Sequence, residues 1–182
     1  MRLYRQTIEE FSLYSGMELT EEEMTRLETS AGKMSAKMRA VRIVSASNVS
    51  TADLQSRLIQ KGEDVVPAKE AVAWMSEMGL LDDKKTAETI VSRCAAKGYG
   101  IARAKQALYE KRIPKEYWGE ALADYPDQSE NIRAFLISRI TSSDDGKALR
   151  KVIDALIRRG HSYADIRKVL NTLDLQDSHW WE

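Results

Sequence analysis

The sequence predicts an all-α protein, with tandem three-helix repeats stacked in an elongated array. Three observations predict it. One short phrase recurs, as Ser50-Thr51-Ala52-Asp53-Leu54 leading to Leu58, Gly100-Ile101-Ala102-Arg103-Ala104 leading to Leu108, and Ser162-Tyr163-Ala164-Asp165-Ile166 leading to Leu170. Each copy has a small helix-starting residue first, alanine third, an apolar residue fifth and leucine ninth, and the fifth and ninth positions share one helix face. The copies begin 50 and 62 residues apart, about right for three short helices, and self-similarity at such a period marks a stacked repeat. Finally, there are only three prolines in 182 residues, and each punctuates the apolar pattern rather than interrupting it.

Each element has its own start and stop. The first dozen residues carry Leu3, Ile8, Phe11, Leu13 and Tyr14 in a pattern open to a short strand pair or an irregular cover. Thr20-Glu21-Glu22-Glu23 is a capping box, the Thr20 hydroxyl meeting the Glu23 amide while the Glu23 carboxylate reaches back. It opens a helix over 20–46 through Met24, Leu27, Ala31, Met34, Met38 and Val41. Ser50 with Asp53 starts a helix over 50–60, and Pro67 opens another over 67–78. Asp82 and Asp83 precede a helix over 83–97 as N-caps, since no third ligand accompanies them at metal-binding spacing. Helices over 100–111, 114–124, 128–141 and 144–159 follow. Ser162 with Asp165 starts the last, over 162–173. Gly62, Gly79, Gly98 and Gly160 each follow an apolar-periodic stretch and can take the left-handed conformation that ends a helix.

Aligning the copies also matches Val41 and Val44 with Val91 and Cys94, and with Ile153 and Leu156, so a helix leads into each small-residue turn. The expected organisation is a lead-in segment over 1–19, units over 20–78 and 79–126, and a truncated third unit over 127–182. Its tail from Asp174, with Trp180 and Trp181, has no period and is expected to be partly mobile.

Hydrophobic residues make up 43% and charged residues 31% of the chain, which describes an ordered protein with a highly charged surface. No run of about 18 apolar residues exists, and the start lacks the apolar stretch of a secretory signal, so a cytoplasmic protein with no membrane partner is expected. The single cysteine, Cys94, sits beside Ile90, Val91 and Ala95 and reads as a buried structural thiol. The 28 basic and 28 acidic residues hide an asymmetry. Residues 1–91 carry 12 Lys and Arg against 15 Asp and Glu, residues 92–182 carry 16 against 13, and 133–168 alone carry 9 against 4. Such a bias is the footprint of an acidic partner or simply a solvated face.

Certain stretches resemble a known family. Glu77-Met78-Gly79-Leu80-Leu81-Asp82-Asp83, then Ala87, Val91, Arg93 and Lys97-Gly98-Tyr99-Gly100-Ile101-Ala102-Arg103-Ala104, is similar to the central unit of the RecX regulatory proteins. Leu108-Tyr109-Glu110-Lys111-Arg112-Ile113 continues the likeness, Arg158-Arg159-Gly160-His161-Ser162 matches the start of the family's last unit, and Gly16-Met17-Glu18-Leu19-Thr20-Glu21-Glu22 looks like the lead-in of longer members. The resemblance spans about residues 10–173. It implies a cytoplasmic bacterial protein whose three-helix units form an elongated, curved array, and which binds the RecA recombinase and its nucleoprotein filament, damping strand exchange, ATP hydrolysis and co-protease activity; some members also contact DNA. There are two departures. Ser45-Ala46-Ser47-Asn48-Val49 replaces an arginine-rich turn, which puts a basic contact from the first unit in doubt. Lys111-Arg112-Ile113 replaces Lys-Gly-Ile, which implies a different helix ending there.

The candidate partner-binding residues are two basic clusters. Arg93, Lys97, Arg103, Lys105 and Lys111 crowd the middle unit; Arg150, Lys151, Arg158, Arg159, Arg167 and Lys168 crowd the last. On one side of the array they would meet the RecA filament or the phosphates of single- or double-stranded DNA. Tyr109, Tyr117 and Trp118 could stack on bases beside this charge, although the spacing of Trp118 with Ala121 and Leu122 favours packing. Neither His161 nor His179 stands in a zinc or nucleophile–base pattern, and Gly98-Tyr99-Gly100 lacks the strand and length of a phosphate loop. No enzyme, cofactor or metal is expected, and the chain is expected to be a monomer. The alternatives are a helical DNA-binding module, against which a net charge of zero argues, and a scaffold with no link to nucleic acid.

Overall fold

Thr20, Ser50 and Ser162 act at the helix starts that their sequence context suggests. In the computed structural model, which describes residues 3–140 and 146–173, every regular element is helical. Thr20 accepts from the Glu23 amide at 3.3 Å and donates its own amide to the Glu23 carboxylate at 2.9 Å, completing the capping box. Ser50 and Ser162 accept from the amides of Asp53 and Asp165 at 3.1 and 3.0 Å. Each bond satisfies a helix-start amide that has no intrahelical acceptor. The chain divides into two compact units, residues 1–86 and 87–182.

In the first unit, α1 (Arg5–Glu10) packs on the long α2 (Glu21–Ala46), and α3 (Thr51–Gln60) and α4 (Val65–Glu77) pack on α2 and on each other. Alanine lets the long helices approach closely: Ala36 and Ala40 of α2 and Ala68 and Ala71 of α4 are all buried. Leu54, Leu58 and Met75 fill the space that remains. Asp83 closes this unit, its carboxylate accepting from the Thr51 amide at 2.9 Å and the Thr51 hydroxyl at 2.6 Å. Asp82 instead caps α5 (Asp83–Ala96), accepting from the Lys85 amide at 2.9 Å. The two neighbouring aspartates therefore hold two different helix starts.

The second unit continues along α5 into α6 (Ile101–Glu110), a 3₁₀ turn (Lys115–Tyr117), α7 (Trp118–Ala123), α8 (Ser129–Ile137), α9 (Gly146–Arg158) and α10 (Tyr163–Thr172). One core joins Ala87, Val91, Leu108 and Ile113 with Tyr117, Trp118 and Leu122. Another joins Ile132 and Leu136 with Leu149, Ile153, Leu156, Ile166 and Leu170. The fifth and ninth residues of all three sequence copies are buried. Their shared alanines Ala52, Ala102 and Ala164 are exposed.

Several elements differ from expectation. The first dozen residues contain α1, a short helix supported by an Arg5–Glu9 pair at 2.8 Å, in place of strands or irregular cover. Helix α4 starts two residues before Pro67, which fits because first-turn amides need no helical acceptor. The 114–124 stretch is a 3₁₀ turn and a six-residue helix, and α8 stops at Ile137. Gly62, Gly79, Gly98 and Gly160 have φ between 65° and 89°, the left-handed endings expected. The different ending implied at Arg112 is not found. Arg112 takes φ 53°, and Ile113 N donates to Leu108 O at 3.0 Å just as Glu63 N donates to Leu58 O at 3.1 Å after Gly62. The same turn is made, with a side chain where glycine would cost less. The expectations for 174–182, including His179, Trp180 and Trp181, and for 144–145 and 141 fall outside the described residues.

Candidate partner-binding face

Within the second unit, the starts of the second and third sequence copies meet backbone to backbone. Gly100 N donates to Arg159 O at 3.0 Å and Ala102 N to Gly160 O at 3.2 Å. An added Cβ on Gly100 would lie 2.0 Å from Gly160 O, so only glycine allows this approach. His161 lies buried beside it and donates through Nε2 to Gly98 O at 3.1 Å. Burial pushes its pKa below the ordinary 6.5, helped by the Arg159 charge and opposed by the Gly98 bond and Asp165. Tyr125 donates its hydroxyl to Tyr99 O at 2.8 Å, and burial, then Cys94, pushes that phenol up to about 12.

This junction consumes one of the candidate cations. The Arg159 guanidinium lies 5.2 Å from the Tyr99 ring centre and 5.0 Å from that of Phe135, and donates to Lys97 O at 3.4 Å. Arg103 is half-buried and pairs with Glu110 at 3.2 Å. Arg93, Lys97, Lys105, Lys111, Arg150, Lys151, Arg158, Arg167 and Lys168 are exposed. Burial, with a smaller push from Glu110, raises the Cys94 thiol against the opposing charges of Arg103, Lys97 and Arg93. On α9, Lys147, Arg150, Lys151 and Arg158 are exposed on the side opposite the buried Leu149, Val152, Ile153 and Leu156, with Asp154 the one acid among them. Lys147 was not singled out from sequence, although it stands one turn before Lys151.

Of the aromatic candidates, Trp118 packs in the core with its indole N–H donating to Ile113 O at 3.0 Å, and Tyr117 packs against the same core. Tyr109 is 72% exposed, one turn beyond Lys105 on α6. In the first unit, Arg39, Arg42, Arg57 and Lys61 line one cavity on α2 and α3, a basic grouping that the sequence reading doubted. Its signal was the helical spacing of Arg39 with Arg42 and of Arg57 with Lys61, masked by the acidic balance of the chain's first half.

No protein-family model matches the chain. A RecX regulatory protein of Stenotrophomonas maltophilia is 31% identical over 133 residues, which make up 71% of this chain and 82% of that one. The chain belongs to the RecX family. The RecX protein of Clostridioides difficile is 25% identical over 177 residues, covering 94% of this chain and 83% of that relative. Two RecX crystal structures share the fold, with TM-scores of 0.71 and 0.68 at 18% and 20% identity. They cover 91% and 80% of this chain, and the second, from Lactobacillus salivarius, is matched over 99% of its own length. As in other RecX proteins, the role is regulatory. Among the described residues, no helix is long and apolar enough to cross a membrane.

Proposed function

We propose that this RecX protein binds RecA and its nucleoprotein filament and inhibits strand exchange, ATP hydrolysis and co-protease activity, without catalysing a reaction itself. Family membership supports the choice of partner. The observation that carries the contact is the cationic face of α9, where Lys147, Arg150, Lys151 and Arg158 span about 17 Å of helix at about 1.5 Å per residue. Lys105, Lys111, Arg167, Lys168, Arg93 and Lys97 extend the proposed surface. Arg159 and Arg103 contribute less, because the first is stacked between two rings and the second is paired. Three three-helix units, a monomeric state and a cytoplasmic location belong to the same proposal.

The test is RecA-catalysed, single-stranded-DNA-dependent ATP hydrolysis with this protein titrated in below one copy per RecA. Inhibition at that level is expected. Alanine at Arg150, Lys151, Arg158 and Lys168 together should leave helical content unchanged and raise the half-inhibitory concentration at least about tenfold, the scale of one to two lost charged contacts. An unchanged value would remove the α9 face from the site. The exposure of Tyr109 beside Lys105 favours a second reading, direct binding of unpaired bases. Tight, salt-sensitive DNA binding by the protein alone, with no effect on hydrolysis, would select it.

A further inference from the structure

The first unit carries a cavity of about 410 Å³ whose walls combine four cations, Arg39, Arg42, Arg57 and Lys61, with the aliphatic Ile43 and Ala46. Two of the cations are already engaged. Arg39 Nε lies 2.6 Å from the buried carboxylate of Glu63 and its Nη1 donates to Lys61 O at 2.9 Å, while Arg57 pairs with Asp53 at 2.9 Å. Arg42 and the Lys61 ammonium are exposed and have no carboxylate partner among the described residues. The cavity therefore holds two uncompensated positive charges beside an apolar wall, in a unit whose residues 1–86 carry 12 basic and 14 acidic side chains.

We propose that this cavity docks a short acidic segment of a partner protein, with a carboxylate meeting Arg42 and Lys61 and an adjacent bulky apolar side chain lying against Ile43 and Ala46. Size fits, since sites of about 300–1,000 Å³ enclose a drug-sized group, and a carboxylate side chain with one apolar neighbour is no larger than that. Charge pattern separates a peptide from a nucleic-acid strand. A strand brings one phosphate after another and needs cations along its whole path, whereas here four cations cluster in one cavity and the rest of residues 1–86 carries 8 basic against 14 acidic side chains. Among the described residues, no aromatic ring lines the cavity to stack a base. A carboxylate also suits the fixed fork of an arginine, and the methylene stems of Arg42 and Lys61 extend the apolar wall. Because Arg39 and Arg57 are held by Glu63 and Asp53, the cationic wall is organised before any ligand arrives.

Fluorescence anisotropy with the full chain tests the site directly, using three labelled probes: a twelve-residue peptide alternating Glu and Leu, an oligoglutamate of the same length, and a twelve-nucleotide single-stranded DNA. The alternating peptide should bind at least tenfold tighter than oligoglutamate, and Arg42→Ala with Lys61→Ala should weaken it at least tenfold with helical content unchanged. Ala46→Asp, at an exposed position, should produce a similar loss by placing a like charge on the apolar wall. Equal binding by wild type and the double variant overturns the site. Tighter binding of the DNA, lost in the same variant, overturns the peptide assignment, and failure of the alternating peptide to bind overturns the proposal outright. None of these outcomes depends on RecA being the partner.

Discussion

Gly100→Ala should disable the second unit, and the structure sets the size of the effect. The new Cβ would lie 2.0 Å from Gly160 O, 2.1 Å from Gly160 C and 2.3 Å from His161 N, all of them backbone atoms. Ordinary separation is about 3.5 Å, so the two segments must part by about 1.5 Å. Both cross-segment bonds, Gly100 N to Arg159 O and Ala102 N to Gly160 O, would then exceed hydrogen-bonding distance. Losing them costs about 1 kcal/mol each and the overpacking about 1–3 kcal/mol, giving about 3–5 kcal/mol in all. Urea denaturation of the full chain, followed by circular dichroism, measures this. Gly32→Ala is the control, because its Cβ would sit 3.9 Å from Pro67 Cγ within α2 and should add about 0.5–1 kcal/mol. A loss below about 1 kcal/mol for Gly100→Ala would refute the close-approach reasoning.

Other substitutions probe separate features by the same denaturation. Leu108→Ala should cost about 2–5 kcal/mol, since Leu108 is fully buried between α5 and α7 in its core; a change near zero would show the apolar face to be misassigned. Arg112→Gly should stabilise by up to about 1 kcal/mol, because the left-handed φ of 53° costs an arginine more than a glycine; a destabilised variant would show that the arginine side chain outweighs its backbone strain. For His161 the folded pKa lies below the unfolded value, so the unfolded chain binds the extra proton first. The stability it contributes is full above about pH 6.5 and declines as pH falls through the window beneath, at up to about 1.4 kcal/mol per pH unit. His161→Gln should remove that slope; an identical pH profile would reassign it.

The helix framework was readable because its signals are local. A serine three residues before an aspartate, or a glycine after a periodic run, acts on amides and carbonyls within one turn, and Thr20, Ser50, Ser162, Gly62 and Gly160 behave accordingly. Outward cations on α9 were legible for the same reason, since a strong apolar face leaves only one side for charge. What escaped depends on partners far along the chain. Asp83 looks like a cap until Thr51, 32 residues earlier, is folded beside it. Arg159 looks like a free surface cation until Tyr99 and Phe135 close on it. At Arg112 the residue type suggested a changed turn, yet the surrounding core retained the backbone path. The cavity of the first unit was hidden because its arginines come from two helices and the local charge sum is acidic.

Cys94 has a further consequence for how this protein can be watched. It is the chain's one thiol, 8% exposed on α5 with its pKa raised by burial, so an alkylating reagent reaches it only when the surrounding helices part. The alkylation rate is therefore an intrinsic clock for opening of the second unit, read without adding a label. A partner that grips the α9 face should slow the clock in proportion to its occupancy. One that binds only the first-unit cavity provides the comparison, showing whether occupancy there reaches the second unit at all.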